Sequence, residues 1–186
     1  MKTKSYLRLT RLLGMLFFVA GVFGLILIVA CLLGYFLSDS FSIDYHPDMI
    51  TFYSYSATNN GINGIVRTEV DYEKIRNTVA LIVGIPTFIL VSIANFKISA
   101  LFNDLSQGDT PFTFDKARKL RKIAYLFCLL GVLPVILYPI VYSLVSGDIQ
   151  ITIGFGYDLI IGLILLVVAQ VFQYGLSLQE FNEDVV

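Results

Sequence analysis

Asp44, His46 and Asp48 occupy alternate positions in Asp44-Tyr45-His46-Pro47-Asp48, and on an extended backbone their side chains face the same way. One imidazole and two carboxylates can hold zinc. His46 is the only histidine, however, and no cysteine stands near it, whereas stable zinc sites draw mostly on His and Cys. The segment reads as a polar loop turning at Pro47, and no metal is expected there. Cys31 and Cys128, the only cysteines, lie in long apolar runs; two such residues support neither a metal cluster nor a disulfide framework and read as small buried apolar groups. Intramembrane catalysis would need a Ser/His pair, an Asp dyad or a metal cluster, and the apolar runs contain no His, Asp or Glu. Neither enzymatic activity nor a cofactor is expected.

Two other groups have suggestive spacing. Lys116, Arg118, Lys119, Arg121 and Lys122 form a dense basic cluster flanked by Phe112 and Phe114. Such a cluster can bind anionic lipid headgroups or a protein partner, with the two phenylalanines as apolar anchors. Asn95, Gln170, Gln173 and Tyr174 are polar residues inside apolar runs, the last three at i, i+3 and i+4 on one helical face. Turned into a bundle they would serve as interhelical polar contacts.

The elements that must position these residues follow from composition. The chain has 186 residues, 56% apolar and 15% charged, against roughly 45–50% and 25% for a soluble domain. Its 13 basic and 14 acidic residues nearly balance, which argues against disorder and against direct nucleic-acid binding. The apolar residues gather in four blocks, with spans expected at about 12–37, 77–97, 123–146 and 159–178. Each is long enough to cross a hydrocarbon core of roughly 30 Å at about 1.5 Å per residue.

Ten of the thirteen basic residues lie before the first block or between the second and third, and eight of the fourteen acidic ones lie on the opposite side. The positive-inside rule then puts both termini in the cytoplasm of a multi-pass cell-membrane protein. The run Ile28-Val29-Ala30-Cys31 imitates a lipoprotein cleavage box, but the apolar run continues past it and is too long for a signal peptide. The expected architecture is one α-helical integral membrane domain over 1–186: four transmembrane helices forming a four-helix bundle, a small extracytoplasmic β cap in loop 38–76, and a cytoplasmic helical hairpin over 98–122.

In that outer loop, 49–56 and 65–70 are β-prone and 59–64 is rich in turn residues, which predicts a hairpin. Segments 41–45 and 150–155 would add a strand each, since an isolated hairpin is marginal. At the opposite end, Ile98, Leu101, Phe102 and Leu105 continue the second helix beyond its span, Gly108 and Pro111 stop it, and Thr113 caps a third helix running unbroken from about Phe114. On the first span Ala20, Gly24, Cys31 and Gly34 form an approximate stripe that would let a neighbour approach closely.

The hairpin and the tail resemble a family of uncharacterised bacterial four-span membrane proteins. The matching residues are Gly108, Pro111, Phe112, Thr113, Leu120, Arg121, Ile123 and Ala124, then Leu178, Gln179, Glu180, Glu183, Asp184 and Val185. Asp115-Lys116 and Lys119 depart from the family's usual Glu-Asn and Arg. The resemblance implies a domain of unknown function, often encoded beside a small helix-turn-helix regulator. A regulatory or signal-coupling role is therefore expected, with the lipid bilayer, a cytoplasmic protein, an extracytoplasmic peptide ligand and further copies of the chain as candidate partners. Immunity against a membrane-active peptide or bacteriocin is the alternative; a small transporter subunit ranks lower, because no intramembrane acid or base marks a pathway.

Overall fold

The computed structural model describes residues 2–37, 43, 49–57, 72–107 and 113–184. Four long helices, α1 (Lys2–Leu37), α2 (Tyr72–Ser106), α3 (Phe114–Ser146) and α4 (Tyr157–Asp184), alternate with two strands, β1 (Met49–Ala57) and β2 (Ile149–Gly156). All four helices are long and apolar enough to cross a membrane. They extend past the expected spans, because the polar turns at their ends keep helical hydrogen bonds once outside an apolar run. Helix α3 starts where its cap predicts: Thr113 is extended, and its side chain accepts from the Lys116 amide at 3.4 Å. It ends on Gly147 in the left-handed conformation, whose amide donates to the Ser143 carbonyl. Pro86, Pro134 and Pro139 sit inside continuous helices.

The helices pack in chain order, α1 on α2, α2 on α3 and α3 on α4, and among the described residues no comparable contact joins α1 to α4. A row replaces the four-helix bundle expected from sequence. In the most apolar stretches, 33% of α2 and 39% of α3 are buried, against 11% of α1 and 17% of α4, so the first and last helices are edges.

Small residues set the approach between neighbours. A Cβ on Gly14 would meet Asn103, one on Gly21 the Phe96 ring, and one on Gly24 the Ser92 hydroxyl at 2.6 Å. Thr10, Gly14, Phe17, Gly21, Gly24, Ile28, Cys31 and Tyr35 thus form the inward seam of α1, alternating steps of four and three residues as in left-handed helix pairs. Gly24 and Cys31 of the expected stripe lie on that seam; Ala20 and Gly34 flank it, half-buried. Buried Ser99 donates to the Gly14 carbonyl at 2.7 Å, and Phe17 stacks on Phe102. Between α3 and α4 the contact reaches the backbones: a Cβ on Gly131 would strike the Leu159 amide, and one on Gly162 the Cys128 amide and Ala124 carbonyl.

The sheet joins the first segment of the expected hairpin to the strand expected at 150–155. β1 pairs antiparallel with β2, from Met49 opposite Gly156 to Ala57 opposite Ile149, with an irregularity at Thr51/Tyr53. The expected partner 65–70 and the turn 59–64 lie outside the described residues, as does 41–45 apart from Ile43, whose amide donates to Asn77. The sheet also flanks α3 instead of capping its end. Leu159, in the first turn of α4, touches Gly131, and α3 continues from there to Ser146, roughly 22 Å further. β2 runs back along this overhang, and Ser143 Oγ holds the Gln150 amide at 2.9 Å. Polar Gln150 and Thr152 are half-buried, while Ile149, Ile151 and Ile153 are exposed with Tyr53 and Tyr55 opposite. The ribbon therefore turns an apolar face outward.

Candidate functional site

The α2–α3 turn carries the densest cluster of charge in the described part of the chain. Because α2 runs to Ser106 and α3 starts at Phe114, both project beyond their apolar stretches and present facing polar turns. Lys119 joins them: its Nζ lies 2.8 Å from Asp104 Oδ2 on α2 and 2.9 Å from Asp115 Oδ2 one turn earlier on α3. Hydrogen bonds to Asp104 and then Asp115 hold the Lys119 ammonium pKa above its ordinary value. In return, the Lys119 hydrogen bond lowers the Asp115 carboxyl below the usual 3.8, with smaller help from the charges of Arg118 and Lys122. Asp115 also sits in the first helical turn, where the α3 dipole favours an anion.

The basic cluster is therefore not one surface. Lys116 is buried beside Thr113 and Ala117, in the wall of an open hollow of about 190 Å³ lined also by Leu101, Leu105, Leu120, Phe172 and Leu176. Lys119 is half-buried and doubly paired. Arg118 and Lys122 are exposed on one face with Phe114, and Arg121 is half-buried beside them. Phe112 lies outside the described residues. Further along this face of α3 come Tyr125, Leu129, Val132, Ile136 and Ile140, all exposed. Sequence reasoning missed Asp104 as the acid that ties the hairpin together; its signal was an acid near the end of α2, opposite a basic first turn of α3.

The polar residues of the spans do not meet. Asn95 and Gln173 are half-buried, but Gln170 and Tyr174 point out of the protein, Tyr174 with 67% exposure. Among the described residues no hydrogen bond links these four across helices. Helical geometry explains the correction. Gly162 and Ala169 fix the face of α4 that turns to α3; Gln173 follows Ala169 by four residues and stays inward, whereas Gln170 is about 100° round the axis from Ala169.

A second cluster occupies the same end. Arg8 and Arg11, both exposed, line a hollow of about 240 Å³ with Leu7 and Ser106. No group of three His, Cys, Asp or Glu residues is placed to hold a metal among the described residues. His46 with its two aspartates lies outside them.

Four helices long and apolar enough to cross a membrane, with a flanking two-stranded ribbon, are the architecture of a multi-pass membrane protein. Over residues 3–186 the chain matches the family described as "Protein of unknown function (DUF2975)", and it belongs to that family. The match extends well before Gly108, the first of the hairpin and tail residues that carry the resemblance. No curated protein matches the chain, and no solved structure does.

Proposed function

We propose that this is a non-enzymatic protein of the cell membrane, regulatory or signal-coupling in role, with both termini in the cytoplasm, that docks a cytoplasmic partner through its basic hairpin. The observation that supports this reading is the division within the cluster. Lys119 is spent on Asp104 and Asp115, which stiffens the hairpin, while Arg118 and Lys122 stay exposed beside Phe114. Arginine next to an exposed aromatic ring is the composition of a protein-contact surface. An acidic partner would be steered to it, and a transcription regulator is the partner that the family resemblance suggests.

A second reading has its own support. The order Arg118, Lys122, Tyr125, Leu129, Val132 along one exposed face of α3 is also that of cations at the headgroups, an aromatic at the interface and aliphatic residues in the acyl region. Pull-down from native membranes with the wild type and with Arg118→Ser, Arg121→Ser and Lys122→Ser combined separates the two. Loss of a protein from the captured set supports docking. An unchanged set with less anionic lipid co-purified rejects docking in favour of headgroup binding.

A further inference from the structure

The row of helices leaves α1 and α4 with one neighbour each, and the charges on these two edges are opposite. Helix α1 carries Lys2, Lys4, Arg8 and Arg11 and no acid; α4 carries Asp158, Glu180, Glu183 and Asp184 and no base. Both concentrations lie at the same end of the protein. Arg8 and Arg11 share a hollow with Ser106 on α2, two residues from the Asp104 that Lys119 clasps, and Lys116 shares its hollow with Phe172 and Leu176 on α4. Glu180 follows Leu176 by one turn, so it stands near the level of the α1 amino-terminal turns.

Each of these ends is disfavoured by its own helix. There is no acid in the first turn of α1 and no base in the last turn of α4. Basic residues at a positive helix terminus, and acidic residues at a negative one, both oppose the macrodipole. An antiparallel neighbour of opposite charge relieves both at once. Within one chain α1 and α4 stand at opposite sides of the row, so the neighbour must come from another copy.

The exposed faces suit this contact. Ile164, Val167, Val171, Tyr174, Leu178 and Phe181 repeat on α4 in alternating steps of three and four residues, with Val171 and Phe181 exposed by 63% and 67%. Leu9, Leu12, Leu16, Val19, Phe23 and Ile26 do the same on the outer face of α1, all exposed. Two such stripes can interdigitate as a helix pair. The α4 stripe also continues through Leu178 and Phe181, past the level of Lys116 and Lys119, where acyl chains would no longer cover it.

We infer that copies of this chain associate edge to edge, α1 of one against α4 of the next, in a head-to-tail contact. Pairing α4 with α4 would bring Glu180 against Glu180, and pairing α1 with α1 would bring Arg8 and Arg11 against themselves; only the mixed pairing matches charge. This inference stands independently of the partner-docking proposal.

Disulfide trapping of the full chain in native membranes tests it. In a Cys31→Ala, Cys128→Ala background, a Leu12→Cys chain is co-expressed with a differently tagged Val171→Cys chain, and both are oxidised with copper phenanthroline. The expected product is a mixed dimer carrying both tags, at least tenfold more abundant than the product of either chain expressed alone. A Val171→Cys homodimer of equal yield, or no cross-link together with a monomeric mass by light scattering in mild detergent, would overturn the inference. Glu180→Lys should cut the mixed product several-fold, and Arg8→Glu with Arg11→Glu on the other chain should restore it.

Discussion

The two edges of the row are built differently. Helix α4 meets α3 through glycines that admit backbone to backbone, with Gly131 against Leu159 and Gly162 against Cys128 and Ala124. Helix α1 meets α2 through glycines that admit side chains: Asn103 at Gly14, the Phe96 ring at Gly21 and the Ser92 hydroxyl at Gly24. The second edge also carries hydrogen bonds, from Ser99 to the Gly14 carbonyl and between Tyr35 and Thr78. In lipid, where burial of apolar groups no longer drives association, close packing and polar contacts must hold helices together. The α1 edge combines the two, its glycines with the Ser99 and Tyr35 hydrogen bonds. A backbone cannot move aside for an added methyl group, whereas a serine or asparagine can change rotamer, so the two edges should differ in tolerance.

The largest effect is expected at Gly131. Gly131→Leu places a side chain on the Leu159 backbone, and overpacking of that kind costs about 1–3 kcal/mol or more; thermal unfolding in detergent should show a large fall in midpoint or loss of folded protein. Gly24→Ala on the other edge meets only the Ser92 hydroxyl and should cost well under half as much, and Ser92→Ala should recover most of that loss. Equal losses at the two glycines would erase the distinction between the edges. Ser99→Ala removes one buried interhelical hydrogen bond, for which about 0.6 kcal/mol is typical in membrane proteins. A loss too small to resolve would mean that packing alone holds α1.

The smallest effect belongs to the hairpin clasp. Asp104→Asn leaves Lys119 with Asp115 alone, and an exposed pair contributes little, so the stability change should be slight and should vanish in high salt. Its pH dependence has a definite sign. Asp115 titrates below its ordinary value in the folded protein, so its contribution is full above that value and is lost as pH falls through the lower folded one. Lys119 titrates above its ordinary value, so its contribution is full below that value and is lost only as pH rises through the higher folded one. Protease protection of the hairpin should be flat from about pH 5 to 9 and weaken on acidification below that. Weakening between pH 6 and 8 instead would exclude this pair as its cause.

Much of the outline was legible in the residues. Thr113 announced the start of α3 through its hydroxyl, and the run from Ile98 to Leu105 showed that α2 continues beyond its span. The hairpin charges were legible as a cluster but not as a division, because Asp104 and Lys119 are 15 residues apart and their pairing depends on how α2 and α3 are set side by side. The strand pairing was half legible. Segment 150–155 was read as an added strand, yet its placement directly opposite 49–57 spans some hundred residues, and no local turn chemistry marks that register.

The sequence by itself determined how many helices there are, that α2 and α3 run on past their apolar stretches, and that charge is unequally shared between their two ends. Those properties depend on local hydrogen bonding and on the length of uninterrupted apolar chain, both of which are written along the backbone. Tertiary structure alone decided that the helices stand in a row, that Gln170 and Tyr174 face outward, and that the ribbon lies beside α3. On a helix apolar all round, periodicity does not mark an inner face; glycine at Gly14, Gly21, Gly131 and Gly162 selects it, by allowing a close approach that only shape complementarity with a particular neighbour can use.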